Sequence, residues 1–298
     1  MFNAFRRLTP VNQTVRTGPA SGDKAHMSGE VIVDQDHPFF YDHPLDHVPG
    51  LLLIEAAMQA GQLWAEKYAP TAHLTSLSVR FRRYCLHGRP VHWALSYRDG
   101  SGRDRLQLRL AQGDIARAEI DLALTPGTLA NDSNPTTPLP APDMPLVPAE
   151  AARLGKHDPA NIMISAPQPG PTDSLSWLLP AREGNMLAEC ADDRYWHPLY
   201  LLEAWMQMLR HANSDPDAPA TARMRDILAG LDLRLFAPVP RDAPIALTVA
   251  NRTIVEDRFM TRSGTIGAGN RLFARVRMLS AQAGRPGNSQ AAGARVKG

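Results

Sequence analysis

Between Asp36 and Gly50 the chain reads DHPFFYDHPLDHVPG, which crowds Asp36, His37, Asp42, His43, Asp46 and His47 into one short stretch. Imidazole has an ordinary pKa close to neutrality, so His43 or His47 can accept a proton from a hydroxyl at physiological pH. Asp42 and Asp46 stand next to them and can orient a ring or contact a substrate. Pro49-Gly50 then opens the run LLLIEAAMQA, which has helix-forming composition, and a proline at the first helical turn is a start signal. The unpaired N–H groups at that start, at Gly50 and Leu51, can polarise a carbonyl as an oxyanion hole, and glycine allows close approach of backbone to ligand. Glu55 is the only charge between Gly50 and Ala65. A carboxylate in apolar surroundings is costly unless paired, and desolvation raises its pKa. On residue types alone the stretch is either an acid/base site at a helix start or a core helix beneath an ordinary polar loop.

The helix is apolar nearly all round, so it must be enclosed by other elements. The sequence supplies an enclosure. A short strand is expected at Gly29–Val33, the helix from about Gly50 to Lys67, and then strands at Leu74–Phe81, Val91–Tyr97, Leu106–Leu110 and Ala118–Leu124, each alternating apolar and polar residues. Asp99–Gly102 and Gly113-Asp114 supply hairpin turns. From Thr125 to Pro148 the composition turns rich in Pro, Thr, Ser and Asn, which reads as a linker. The pattern then restarts, with strand-like segments at Asn161–Ser165 and Asn185–Cys190, a helix at His197–His211 and a second meander from Leu228 to about Leu279.

The restart is a repeat at residue level. Glu55-Ala-Ala-Met58-Gln59 aligns with Glu203-Ala-Trp-Met206-Gln207, and Leu74, Leu77, Val79, Arg80 and Phe81 align without gaps with Leu228, Leu231, Leu233, Arg234 and Leu235. Five segments are therefore expected: an irregular lead-in over 1–28, an N-terminal unit over 29–127, a linker over 128–150, a C-terminal unit over 151–280 and a disordered tail over 281–298. The fold class is α+β, two copies of a long apolar helix wrapped by an antiparallel sheet.

The chain has 298 residues and a net charge of +2, too mild to imply nucleic acid. Cys85 and Cys190, its two cysteines, make neither a disulfide framework nor a zinc site. The scattered histidines have no partner ligand set, so neither metal nor cofactor is expected. No stretch reaches the roughly 18 consecutive apolar residues of a membrane span, and no apolar segment follows the basic N-terminus. A cytoplasmic location is expected.

Pro38-Phe39-Phe40, Asp42-His43-Pro44-Leu45-Asp46-His47-Val48-Pro49-Gly50, and Leu53-Ile54-Glu55-Ala56 with Gln59 resemble the A-factor biosynthesis hotdog family. The resemblance covers both halves and implies a double hotdog. It further implies transfer of a β-ketoacyl group from an acyl-carrier-protein thioester to a hydroxyl of dihydroxyacetone phosphate, a small C3 acceptor, followed by an intramolecular aldol closure to a butenolide. More distantly the motif is similar to the β-hydroxyacyl-carrier-protein dehydratases, in which a His and an acid come from opposite hotdogs. That implies His43 with Glu203, and Glu55 with His197, while pairing within one half would give His43 with Glu55. The second half keeps His197 and Glu203 but lacks the Pro-Gly and most of the acidic/His cluster, so one competent and one degenerate site are expected.

Arg80, Arg82 and Arg83 are either a solvated strand face or a contact for a carrier protein or a phosphate. Arg153, Lys156 and His157 are a weaker phosphate candidate, and His37 is expected to shape its loop. No Cys or Ser lies in a nucleophile context, which favours direct transfer. The alternatives are a dehydratase or thioesterase on a carrier-bound chain, or a non-catalytic acyl-binding module. The assembly expected is a monomer acting as its own pseudo-dimer, with a homodimer as the alternative.

Overall fold

The structure, a computed structural model, describes residues 15–17, 24–100, 103–127, 138–142, 145–170, 173–185, 187, 194–213, 226–250, 253–255 and 259–282. In the first half β1 (Val15–Thr17) and β2 (His26–Val31) lead through the polar loop into α1 (Gly50–Tyr68). The strands β3 (Ala72–Phe81), β4 (Val91–Arg98), β5 (Asp104–Gln112) and β6 (Ile115–Pro126) follow. The second half contains the short α2 (Ala151–Leu154), a 3-10 turn at Pro159–Asn161, β7 (Gln168–Pro169), β8 (Ser174–Trp177) and α3 (Pro198–Asn213). It closes with β9 (Asp226–Leu235), β10 (Ala246–Val249), β11 (Thr253–Val255), β12 (Phe259–Ala268) and β13 (Arg271–Gln282).

Alternation in the strands and the unbroken apolar surface of α1 have one explanation. Val91, Trp93 and Leu95 of β4, Leu106, Leu108 and Leu110 of β5, and Ile120, Leu122 and Leu124 of β6 are all buried, every second residue, on the face that meets the core. They pack in one cluster with Leu52, Leu53, Ile54, Ala56, Ala57, Met58 and Trp64 of α1. Full burial of each large side chain stabilises by about 1.5–3 kcal/mol before entropy is counted. In the second half α3 is enclosed in the same way through Leu199, Leu202, Trp205 and Met208.

A single antiparallel sheet runs β1-β2-β4-β5-β6-β3-β9-β13-β12-β10-β8-β7, with β11 pairing β12. Outward from the β3/β9 junction the order is mirrored, β3-β6-β5-β4-β2 one way and β9-β13-β12-β10-β8 the other. At the junction Leu77 pairs with Leu233, Ser78 with Asp232 and Val79 with Leu231. The offset that aligns Leu74 with Leu228 is also the 154-residue separation of Ser78 and Asp232. The pseudo-two-fold axis therefore passes through that pair, where the Ser78 hydroxyl donates to Asp232 Oδ1 at 2.6 Å.

Several sequence expectations need correction. The lead-in is not wholly irregular, since β1 lies within it and β2 begins at His26 rather than Gly29. Pairing creates these strands: β2 joins β4 from His26↔Ser96 onward and β1 joins β2. No regular strand forms over Asn161–Ser165: Ile164 and Ser165 make only isolated bridges, to Leu178 and Pro148, and the segment's start is tied to one side chain of α3. Met163 N donates to Gln207 Oε1, and Gln207 Nε2 donates to Asn161 O. Of the expected strand at Asn185–Cys190 only Asn185 and Leu187 are described. Within the expected linker, Leu139 N donates to Gly269 O, which ties that part to the second half. The last strand reaches Gln282, and the tail beyond it lies outside the described residues.

Candidate active site at the junction of the two halves

The polar loop is built from the inside. His37 Nδ1 accepts from Phe39 N and Phe40 N, and Tyr41 N donates to His37 O, so this buried ring holds the turn that presents Asp42 and His43. Farther on, Val48 N donates to Cys85 O and His47 bridges to Leu86, which fixes the entry to α1. Pro49 caps the helix with no side-chain hydrogen bond, and Leu53 N is the donor that reaches back to Pro49 O. The N–H groups of the first turn thus keep their donor capacity.

That turn opens onto a cavity of about 1240 Å³. Phe39, Phe40 and the loop from His43 to Leu51 form one wall, Arg82, Arg83 and Tyr84 the rim, and Lys156, Glu203, Met206 and Arg210 the far side. Its apolar part is Leu53, Phe81, Ile227, Leu228, Ala229 and Ala281, so the second half's β9 and β13 share the floor. His43 and Glu203, from opposite halves, therefore share one cavity, and Glu55 is not among its lining residues.

Charges are concentrated at the far side. Arg210 holds Glu203 with two hydrogen bonds, at 2.7 and 3.3 Å, and Lys156 Nζ lies 3.0 Å from Glu203 Oε1. Lys156 Nζ is also 3.6 Å from Asp42 Oδ2 and sits 5.4 Å from the Phe39 ring centre. Burial pushes the Glu203 carboxyl up, but Arg210 and then Lys156 outweigh it and hold the group at about 2. His43 is shifted the other way from a carboxylate's usual rise: burial lowers its pKa, and the charges of Lys156 and Arg210 lower it further. Its Nδ1 is buried and has no hydrogen-bond partner among the described residues. The cavity thus sets an imidazole biased toward its neutral form beside a carboxylate held as an anion near neutrality.

The remaining expected residues are placed as follows. Asp42 was expected to contact substrate, but its Oδ1 accepts from His157 N and Asp158 N, at 3.3 and 2.7 Å, so it clamps the first-half loop onto the second half. Glu55 accepts from Gln59 at 2.8 Å and has Oε2 3.9 Å from His197 Nε2, a second cross-half pair outside the cavity. His47 meets Asp46 at 2.6 Å at the exposed rim. Gly50 and Leu51 line the cavity where an oxyanion hole was expected. Arg82 pairs with Glu119 at 2.7 Å, and Arg80 is exposed on β3. Arg210 was not singled out in the sequence, although a signal existed. It stands seven residues after Glu203, where the first repeat has Gln62 after Glu55.

Among the described residues no helix is long and apolar enough to cross a membrane, and no cluster of three His, Cys, Asp or Glu could hold a metal. Residues 13–122 match the model of the A-factor biosynthesis hotdog domain. A 2-oxo-3-(phosphooxy)propyl 3-oxoalkanoate synthase of Streptomyces virginiae is 36% identical over 72 residues, 24% of this chain and 23% of that protein. A synthase of the same name from Streptomyces griseus is 37% identical over 82 residues, 27% of this chain and 26% of that one. The matches thus span about a quarter of the length of these relatives. Among solved structures, the dehydratase domain from the CurF module of the curacin polyketide synthase superposes with a TM-score of 0.61 at 10% identity, over 93% of this chain and 100% of that domain. A thioesterase II from Thermobifida fusca gives 0.56 at 17% identity, over 94% and 100%. These two likenesses establish a hotdog fold. Over residues 13–122 this chain is similar to the A-factor biosynthesis hotdog domain.

Proposed function

We propose that the chain is a double hotdog acyltransferase. It joins a 3-oxoacyl thioester to a hydroxyl of a phosphorylated C3 acceptor such as dihydroxyacetone phosphate, and the ester then closes to a butenolide. The observation that carries this reading is the state of the two groups in the cavity. Elimination of water from a 3-hydroxyacyl thioester needs a base for the carbon-bound proton and an acid for the departing hydroxyl. Glu203, held at about 2 by Arg210 and Lys156, has no proton to give near neutrality. His43, neutral and half-buried, supplies the base alone.

A base without an acid suits transfer. His43 takes the acceptor hydroxyl proton as the oxygen attacks the thioester carbonyl. The resulting oxyanion lies toward the first-turn N–H groups at Gly50 and Leu51. Collapse breaks the C–S bond, and the thiolate leaves with the proton returned by the His43 imidazolium. The acyl chain extends over Phe81, Leu228 and Met206. Ring closure follows on the released ester, where the activated methylene of the 3-oxoacyl group adds to the acceptor ketone and the aldol hydroxyl leaves as water with a proton from solvent, so it asks no acid of the cavity.

The names of the partial relatives, which contain both a phosphooxypropyl and a 3-oxoalkanoate group, support this choice of substrates. The test is to follow thioester loss and product mass with a 3-oxoacyl thioester, with and without dihydroxyacetone phosphate, beside a 3-hydroxyacyl thioester. Acceptor-dependent loss and a product containing both pieces are expected. His43→Ala should lower kcat by about 10²–10⁴. Brisk conversion of the 3-hydroxyacyl compound to its enoyl form would establish a dehydratase, and acceptor-independent release of free acid a thioesterase.

A further inference from the structure

On the face of the sheet turned away from the core, the two halves present different charges. In the first half Arg80 stands opposite Glu119, Glu119 opposite Arg109, and Ser78 and Gln107 flank Asp121. Two arginines there meet two acids. The pseudo-two-fold puts Arg234 where Arg80 stands and Asp232 where Ser78 stands. Their cross-strand partners on β13 are Arg275 and Arg277, in the places that Glu119 and Asp121 hold on β6. Thr265 and Ser263 of β12 complete the two rows. Three arginines thus meet one acid, and that acid already accepts from the Ser78 hydroxyl.

Arg234, Arg275 and Arg277 are all exposed, and among the described residues none of them pairs with a carboxylate. Like charges directly opposite on a sheet repel and cost stability. Arg234 and Arg275 are nevertheless held together, because both guanidinium groups lie over the ring of the buried Phe236, at 5.1 and 5.7 Å from its centre. Covering that ring accounts for these two arginines but not for Arg277. Opposite residues have Cα atoms about 5 Å apart, and alternate residues of one strand about 7 Å. The three guanidinium groups therefore share a patch that one multiply charged anion can span, and their forked donors match phosphate oxygens. The exposed Ser263, opposite Arg277, adds a hydroxyl. None of the exposed large apolar side chains belongs to the patch, so a nucleic-acid base or an apolar partner surface has nothing to pack on. None of the three arginines lines the cavity.

We propose that Arg234, Arg275 and Arg277 form an anion site on the outer face of the second half, which takes a phosphate-bearing ligand through a doubly charged phosphate or diphosphate group. The site stands apart from the transferase reading. The probe is sodium pyrophosphate, titrated calorimetrically into the whole chain at low ionic strength, with the melting temperature as a second readout. Wild type should bind it and melt higher in its presence, and sodium chloride at matched ionic strength should not reproduce the rise. Arg275→Glu restores the Arg–Glu pairing of the first half. It should melt no lower than wild type without anion, and bind pyrophosphate about tenfold or more less tightly. Arg277→Gln, which leaves both arginines on Phe236, should weaken binding about threefold or more. Vesicles of phosphatidylglycerol distinguish the source of the phosphate. Sedimentation with them that is lost in Arg275→Glu, with pyrophosphate bound only weakly, assigns the group to a lipid headgroup. Equal pyrophosphate affinity in wild type and Arg275→Glu would place the anion at Lys156 and Arg210 in the cavity and overturn the site. A rise that chloride reproduces, or failure of wild type to bind either probe, would overturn it as well.

Discussion

At the scale of single residues, the proposed site rests on charges that do not react. Burial lowers the pKa of His43 and the charges of Lys156 and Arg210 lower it further, while the same two cations hold Glu203 as an anion, so His43 stays neutral as pH falls below its ordinary range. The sign of a perturbation follows. Lys156→Met removes a positive charge that opposes the imidazolium, so the His43 pKa rises and the acidic limb of kcat/KM moves to higher pH. Lys156→Arg should leave the limb in place. Matched pH–rate profiles of the two variants check this, and an unmoved limb in Lys156→Met would show that the lysine does not act on His43. Of this site, His43, Glu203, Gly50 and Leu51 were legible in the sequence because each belongs to a local motif or to the repeat. Lys156 was read only as a weak phosphate candidate, and Arg210 was passed over. Lys156 reaches Asp42 and Glu203 from a distant segment, so no local spacing records it, whereas Arg210 stands two turns after Glu203 on α3 and its spacing was there to be read. Asp42 was read as a substrate contact because its neighbours in sequence are reactive. Its true partners, the N–H groups of His157 and Asp158, are more than a hundred residues away.

At the scale of elements, the site depends on how closely each helix seats on its sheet. Gly264 of β12 faces α3 where the Trp205 indole donates to Thr248 O at 2.9 Å. A Cβ on Gly264 would fall within both the Thr248 carbonyl and the Trp205 ring. Trp205 is two residues from Glu203, so the glycine lets α3 approach and sets the depth of the carboxylate. Gly61 of α1 faces a softer neighbour, the Leu122 Cδ1 methyl, 2.6 Å from an added Cβ. Gly264→Ala should therefore cost about 3 kcal/mol or more, above the usual range for overpacking. Gly61→Ala should be near neutral, because the ~1 kcal/mol gained in helix propensity offsets a methyl's movement. Denaturant unfolding of both variants measures the difference, and equal costs would refute it. The sequence placed α1 and the meanders well because their periodicity is a property of each segment. It missed β1, misplaced the start of β2 and expected a strand at Asn161–Ser165, where pairing partners and the Gln207 amide decide the outcome.

At the scale of the whole molecule, the two halves are held by more than the chain that joins them. Five residue pairs link β3 to β9, Asp42 enters the turn at His157 and Asp158, and Asn161 Nδ2 donates to Pro38 O. A protease site introduced within residues 128–137 and then cleaved should leave the fragments together on native size-exclusion chromatography, with transfer activity retained. Separation of the fragments would mean that the covalent connection is itself required.

The axis through Ser78 and Asp232 has a consequence for how such a protein can change. In a dimer of identical chains, a mutation near the axis-related sites appears twice, and a residue that improves one pocket must be tolerated in the other. Here the two copies are encoded separately. Position 210 can carry an arginine while its counterpart is Gln62, which donates to Glu66 one turn farther along α1. One chain thus holds two copies that differ at this position, and the copy with the arginine is the one that lines the cavity.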